Sequence, residues 1–81
     1  MWYHGEFYIY GDNGEVYVFD YSVKSCENGS RFGIDNGCIL KLDILDQFTG
    51  DQLVEYNRDW IQEPNNEIER KALDRLLAKF N

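Results

Sequence analysis

Histidine and proline occur once each and cysteine twice in these 81 residues, and the chain has no glycine-rich phosphate loop and no long apolar run. Each scarcity removes a class of function. With His4 as the only imidazole, a catalytic triad or a Cys-His pair would have to be built at the fraying start of the first apolar run, and a nucleophile also needs an oxyanion hole. Cys26 and Cys38, with one histidine and no C-x-x-C spacing, fall short of the ligand sets that zinc sites need. Neither G-x-x-x-x-G-K-[ST] nor G-x-G-x-x-G is present, so no backbone cradle for a nucleotide is indicated. Asp12-Asn13-Gly14 and Asp35-Asn36-Gly37 are fragments of a calcium loop without its remaining ligands, and they read as hairpin turns. No catalytic residue, metal or cofactor is assigned, and a non-enzymatic protein is expected.

Basic residues are scarce too: eight against fifteen acidic ones, for a net charge of −7. A chain so acidic lacks the footprint that displaces counterions from phosphates, so direct binding to nucleic acid or an anionic membrane is not expected. The start of the chain has no basic n-region followed by an apolar h-region, and the expected location is the cytoplasm. Cys26 and Cys38 could form one disulfide, but a small secreted scaffold of this length carries more cysteine, and free thiols are the preferred reading. The whole charge excess lies in residues 1–60, where eleven acidic side chains meet only Lys24, Arg31, Lys41 and Arg58.

What is abundant is aromatic surface and turn chemistry. Thirteen residues are aromatic, twelve of them within residues 1–60. That segment reads as short β-rich runs broken by Asn-Gly and Gly-Asp pairs, the turn residues that tolerate positive φ at successive positions. Residues 2–10 and 15–24 flank Gly11-Asp12-Asn13-Gly14 as a first hairpin; a short Arg31–Ile34 run follows, then 38–46 and 52–60. Period-two alternation places Cys38, Leu40, Leu42 and Ile44 on one face of the 38–46 strand. From Ile68 the period changes: Ile68, Ala72, Leu73, Leu76, Leu77 and Phe80 make the apolar stripe of a helix over 66–80, opened by Asn66 and Glu69 at capping-box spacing. The expectation is one α+β domain over residues 1–81: an antiparallel meander of about five strands within 1–60 and one amphipathic C-terminal helix packed on one face. Leu40, Leu42, Ile44, Leu73, Leu76 and Leu77 are its expected shared core.

One helix covers one face, and the first hairpin carries aromatic residues in both alternation sets, with Tyr3, Phe7 and Ile9 on one side and Trp2, Tyr8 and Tyr10 on the other. The uncovered, aromatic-studded acidic surface points to protein binding, because tyrosine and tryptophan anchor such contacts while charge steers them. The residues expected to carry it are Asp12, Glu15, Asp43, Asp46, Asp51 and Glu55, with Tyr8, Tyr10 and Tyr17 as anchors. The expected partner is a protein with a basic surface; a homodimer is the other occupant considered. Two further readings stand beside it: an oligomeric sponge for a small signal nucleotide, controlled by Arg31 and Arg58, and a housekeeping domain with neither role.

Ser30-Arg31-Phe32-Gly33-Ile34-Asp35-Asn36-Gly37, then Ile39-Leu40-Lys41-Leu42, Trp60, Glu63-Pro64 and the terminal helix resemble a family of small uncharacterised acidic proteins carried by Gram-positive bacteria, their phages and mobile elements. No activity or catalytic residue comes with the resemblance. It implies a role of the anti-CRISPR or antirestriction kind, in which an acidic protein occupies the basic groove of a nucleic-acid-binding defence effector.

Overall fold

Alternation at period two carries directly into a sheet. The computed structural model, which describes residues 1–81, has five strands: β1 (Trp2–Tyr10), β2 (Val16–Ser25), β3 (Ile39–Asp46), β4 (Gln52–Asn57) and β5 (Trp60–Gln62). They pair antiparallel in sequence order, a simple meander, and α1 (Glu67–Phe80) lies across one face. Register puts Val23 beside Leu42 and Leu42 beside Tyr56, with Ile44 beside Val54, so the apolar set of each strand lines the same side. Onto it α1 lays Ala72, Leu73 and Leu76, and these residues with Phe19, Ile34 and Ile39 form one buried cluster. Phe80 closes the far end against Tyr3 and Tyr21, with ring centroids 4.8 and 5.8 Å apart. No helix is long and apolar enough to cross a membrane.

The helix is capped as its sequence suggests. The Asn66 side chain accepts a hydrogen bond from the Glu69 amide at 2.9 Å, and the Glu69 carboxylate accepts from the Asn65 amide at 2.9 Å, satisfying donors that the first turn leaves free. At the other end Asn81 ties the helix to the sheet. Its side-chain oxygen accepts from the Ile39 amide at 3.1 Å, and its side-chain nitrogen donates to the Ile34 carbonyl at 3.0 Å.

Four expectations need correction. The run 52–60 is not one strand: Arg58 takes a left-handed φ of 61° and the chain reverses there, making β4 and a separate β5 in which Trp60 faces Tyr56. Conversely, Arg31–Ile34 is no strand; it turns into a short 3₁₀ segment, Ile34–Asn36, and Asp35 and Asn36 both have positive φ, at 51° and 59°. In the first hairpin only Gly14 is left-handed, at 84°, so its five-residue loop replaces the expected pair of positive-φ positions. Finally, Leu40 is only half-buried and Ile39 takes its place in the core. Lys24 pairs with Lys41 but Ser25 with Ile39, so Leu40 is the extra residue of a β-bulge that resets the alternation. Cys38, displaced by the same bulge, is half-buried, as is Leu77.

Candidate functional site

A meander sends its turns alternately to two ends, and here the ends differ in charge. The β1–β2 loop (11–15) and the β3–β4 loop (47–51) meet at one pole, where the N-terminus of α1 also arrives. Asp12, Glu15, Asp46, Asp51, Glu67 and Glu69 gather there. An open cleft of about 430 Å³ lies between the sheet and the first turn of α1, lined by Tyr17, Phe19, Leu53 and Ile68 together with Asp46, Asn66, Glu67 and Glu69. Lys71 is the basic residue in contact with this group, 4.0 Å from Asp12 and 3.8 Å from Glu67.

Asp46 also shapes the neighbouring loop. Its carboxylate accepts hydrogen bonds from the Phe48 and Thr49 amides at 2.8 and 3.1 Å, and Gly50 takes φ 78° to complete the turn. This holds Phe48 outward with 78% of its surface exposed, an apolar ring among carboxylates. Sequence reasoning missed Phe48, Glu67 and Glu69. A phenylalanine inside an Asp-Gln-Phe-Thr-Gly-Asp turn was itself a signal, whereas the two glutamates join the pole only because α1 runs back over the sheet.

The opposite pole holds the loop between β2 and β3 and the β4–β5 turn, with every basic residue of the first sixty. Lys24 stands directly across from Lys41, and Arg31 and Arg58 flank the Phe32 ring at 4.9 and 5.9 Å. None of the four takes part in an ion pair, since all three ion pairs involve α1. The Tyr56 hydroxyl donates to the Phe32 carbonyl at 2.7 Å. Burial pushes the Tyr56 phenol above its ordinary pKa, and the nearby charges of Asp59 and Asp35 push the same way. Cys26 and Cys38 are adjacent here, the Cys26 amide bonded to the Cys38 carbonyl at 2.9 Å, and both thiols are free.

Between the poles, the sheet face turned away from α1 is more mixed than the aromatic surface expected. Its aromatic residues stay on β1, as Trp2, Tyr8 and Tyr10, while Glu6 faces Asp20 and Asp43 faces Glu55 across the strands. Two glutamine amides answer these pairs. Gln47 Nε2 donates to Glu6 and, at 3.1 Å, to Asp20; Gln52 Nε2 donates to Asp43 at 3.0 Å. His4, stacked on Trp2, hydrogen-bonds Ser22 through Nδ1 at 2.9 Å, and Ser22 faces Asp43. That order places the hydroxyl between imidazole and carboxylate, whereas acyl transfer requires the imidazole in the middle. No three His, Cys, Asp or Glu side chains converge where one metal ion could sit.

Of the expected binding residues, Asp12, Glu15, Asp46, Asp51, Tyr10 and Tyr17 therefore lie at or beside the acidic pole. Asp43 and Glu55 form a cross-strand pair in mid-sheet on the helix-free face, and Tyr8 lies on β1 at the edge of that face. Tyr17 is on the other face, lining the cleft.

The model of a family described as a domain of unknown function (DUF7678) matches residues 1–81. No curated protein and no solved structure matches the chain.

Proposed function

The chain belongs to that family over residues 1–81, and from this premise we propose that it is a non-enzymatic protein-binding module whose acidic pole occupies a basic groove on a partner. The observation that carries the reading is the convergence of two hairpin tips and a helix N-terminus into one pole holding Asp12, Glu15, Asp46, Asp51, Glu67 and Glu69, with Phe48, Tyr10 and Tyr17 exposed among them. Carboxylates gathered at one end compete for the cationic side chains that otherwise hold phosphates, and the rings supply contacts that retain the complex. A nucleic-acid-binding effector is the partner class with such a groove. A phage or mobile-element origin, with the effector belonging to host defence, is part of the same proposal, as is a cytoplasmic site of action.

The test is association with the effector over a salt series. Asp12→Asn/Asp51→Asn should slow association several-fold at low ionic strength and flatten the salt dependence, while Phe48→Ala should speed dissociation. Arg58→Ala should leave both unchanged. Loss of binding in Arg58→Ala alone would reject the reading.

That control also weighs the second reading, the anionic-ligand sponge. Lys24, Lys41, Arg31 and Arg58 do lie at one pole, free of ion pairs, with Arg31 and Arg58 beside the Phe32 ring. Calorimetric titration with a cyclic dinucleotide decides it: heat abolished by Arg31→Ala/Arg58→Ala supports a sponge, and no heat removes it.

A further inference from the structure

The two edges of the sheet are protected very differently. β5, at one edge, is three residues long, and Pro64 follows soon after it. At the other edge β1 runs for nine residues, paired to β2 without a bulge from Trp2 to Tyr10, and contains neither lysine nor proline. Those are the devices that normally blunt an edge strand.

Two hydrogen bonds show which backbone groups of β1 point outward. The Met1 carbonyl accepts from the Ser25 amide and the Gly11 amide donates to the Glu15 carbonyl, so odd-numbered residues turn their polar groups toward β2. Antiparallel pairing alternates these directions, which leaves the N–H and C=O groups of Trp2, His4, Glu6, Tyr8 and Tyr10 facing away from the sheet. One of them is engaged: Arg75 Nη1 donates to the Tyr8 carbonyl at 3.2 Å, a contact only an outward-facing carbonyl permits. Beside it lies a depression of about 500 Å³ lined by Glu6, Phe7, Tyr8, Tyr10, Val18 and Arg75. Phe7 and Arg75 come from the helix side and Tyr8, Tyr10 and Val18 from the other face, so the depression straddles the edge itself.

We propose that the edge of β1, once Arg75 yields the Tyr8 carbonyl, accepts an extended segment of a partner protein as a sixth strand, carrying a lysine or arginine opposite Glu6 and aliphatic side chains toward Tyr8 and Tyr10. The recognition mode is β-augmentation, in which main-chain bonds hold the segment and alternate side chains select it. Charge fixes the occupant. Glu6 stands directly across from Asp20, with the Gln47 amide between the two carboxylates, so a cation beside Glu6 relieves a like-charge pair. A second copy of this chain fits poorly. Glu6 is the middle residue of β1, and full-length antiparallel self-pairing sets Glu6 against Glu6 on molecules that each carry −7. The inference rests on the protein-binding reading but uses the edge of β1, which shares Tyr10 with the acidic pole and none of its carboxylates, so the two fail separately.

The test uses the full chain and two synthetic nine-residue peptides of alternating valine and threonine, one with a central lysine and one with a central glutamate. Fluorescence anisotropy should show the lysine peptide binding about tenfold or more tighter, and hydrogen exchange should show new protection at the outward amides of β1. Glu6→Lys, an exposed position, should reverse the preference. N-methylation of the peptide amides that face β1 should abolish binding, and methylation of the alternate set should not. Asp12→Asn/Asp51→Asn should leave all of this intact, which separates edge recognition from binding through the acidic pole. Equal binding of both peptides, no binding at roughly 1 mM, or binding that survives methylation of the facing set overturns the proposal. So does a sedimenting dimer in which the β1 amides are already protected without peptide.

Discussion

Under α1 the sheet presents Phe19, Val23, Leu42, Ile44, Val54 and Tyr56, all buried, whereas the other face of the same strands presents Glu6 against Asp20 and Asp43 against Glu55. The first set removes apolar surface from water, and no buried side-chain polar atom in the molecule is left without a partner. The second opposes like charges at the spacing where they destabilise a sheet. None of those four carboxylates joins the buried cluster, and within the fold they are answered only by the Gln47 and Gln52 amides. The buried contacts that stabilise the fold and the like charges that oppose it are thus divided between two sides of a single layer.

The division is open to direct test, and the largest effect is expected under the helix. Leu76, 2% exposed, belongs to the buried cluster between helix and sheet, and Leu76→Ala should cost about 2–5 kcal/mol in chemical denaturation. Leu45→Ala on the helix-free face should cost clearly less, and equal losses would mean that both faces are core. Next is the tie that holds α1 down: Asn81→Ala leaves the Ile39 amide without its partner and the Ile34 carbonyl with the Gly37 amide alone, and should cost about 1–3 kcal/mol. Tyr56→Phe should lose about 0.5–1.5 kcal/mol at neutral pH with its bond to the Phe32 carbonyl. Because the folded-state pKa of Tyr56 is raised, the stabilisation is complete below the unfolded value of about 10 and is lost as pH rises through the folded value. The variant should therefore show a shallower alkaline loss of stability than the parent. The smallest effect has the opposite sign: Glu55→Gln should stabilise by roughly 0.2–1 kcal/mol at low salt, fading as salt screens the pair. Destabilisation there would show that the helix-free face contributes to folding after all.

The elements with strong periodicity were legible from the residues alone. The stripe from Ile68 to Phe80 and the Asn66/Glu69 cap lie where spacing placed them, because both are local geometry. So is the first hairpin, and the α+β meander under one helix follows from that order of elements. Positions where the backbone departs from regular geometry were not legible. Nothing in Cys38–Lys41 announces that Leu40 is passed over, since the bulge is set by how β3 meets β2. The reversal at Arg58 carries no glycine or proline to mark it. The acidic pole was half visible: the carboxylates could be counted along the chain, but which of them meet depends on both hairpin tips falling at the same end.

Because neighbours in sequence are neighbours in the sheet, β1 through β5 can assemble by closing three short turns and the longer loop over residues 26–38. The long-range step is the return of α1, whose Arg75 reaches Tyr8 across a separation of 67 residues. Loop-closure entropy favours docking of α1 as the last step, and the expectation is that contacts between helix and sheet set the barrier. We therefore expect Leu73→Ala to slow refolding in stopped-flow measurements in proportion to the stability it removes, and substitutions in the Asp12–Gly14 turn to act mainly on unfolding.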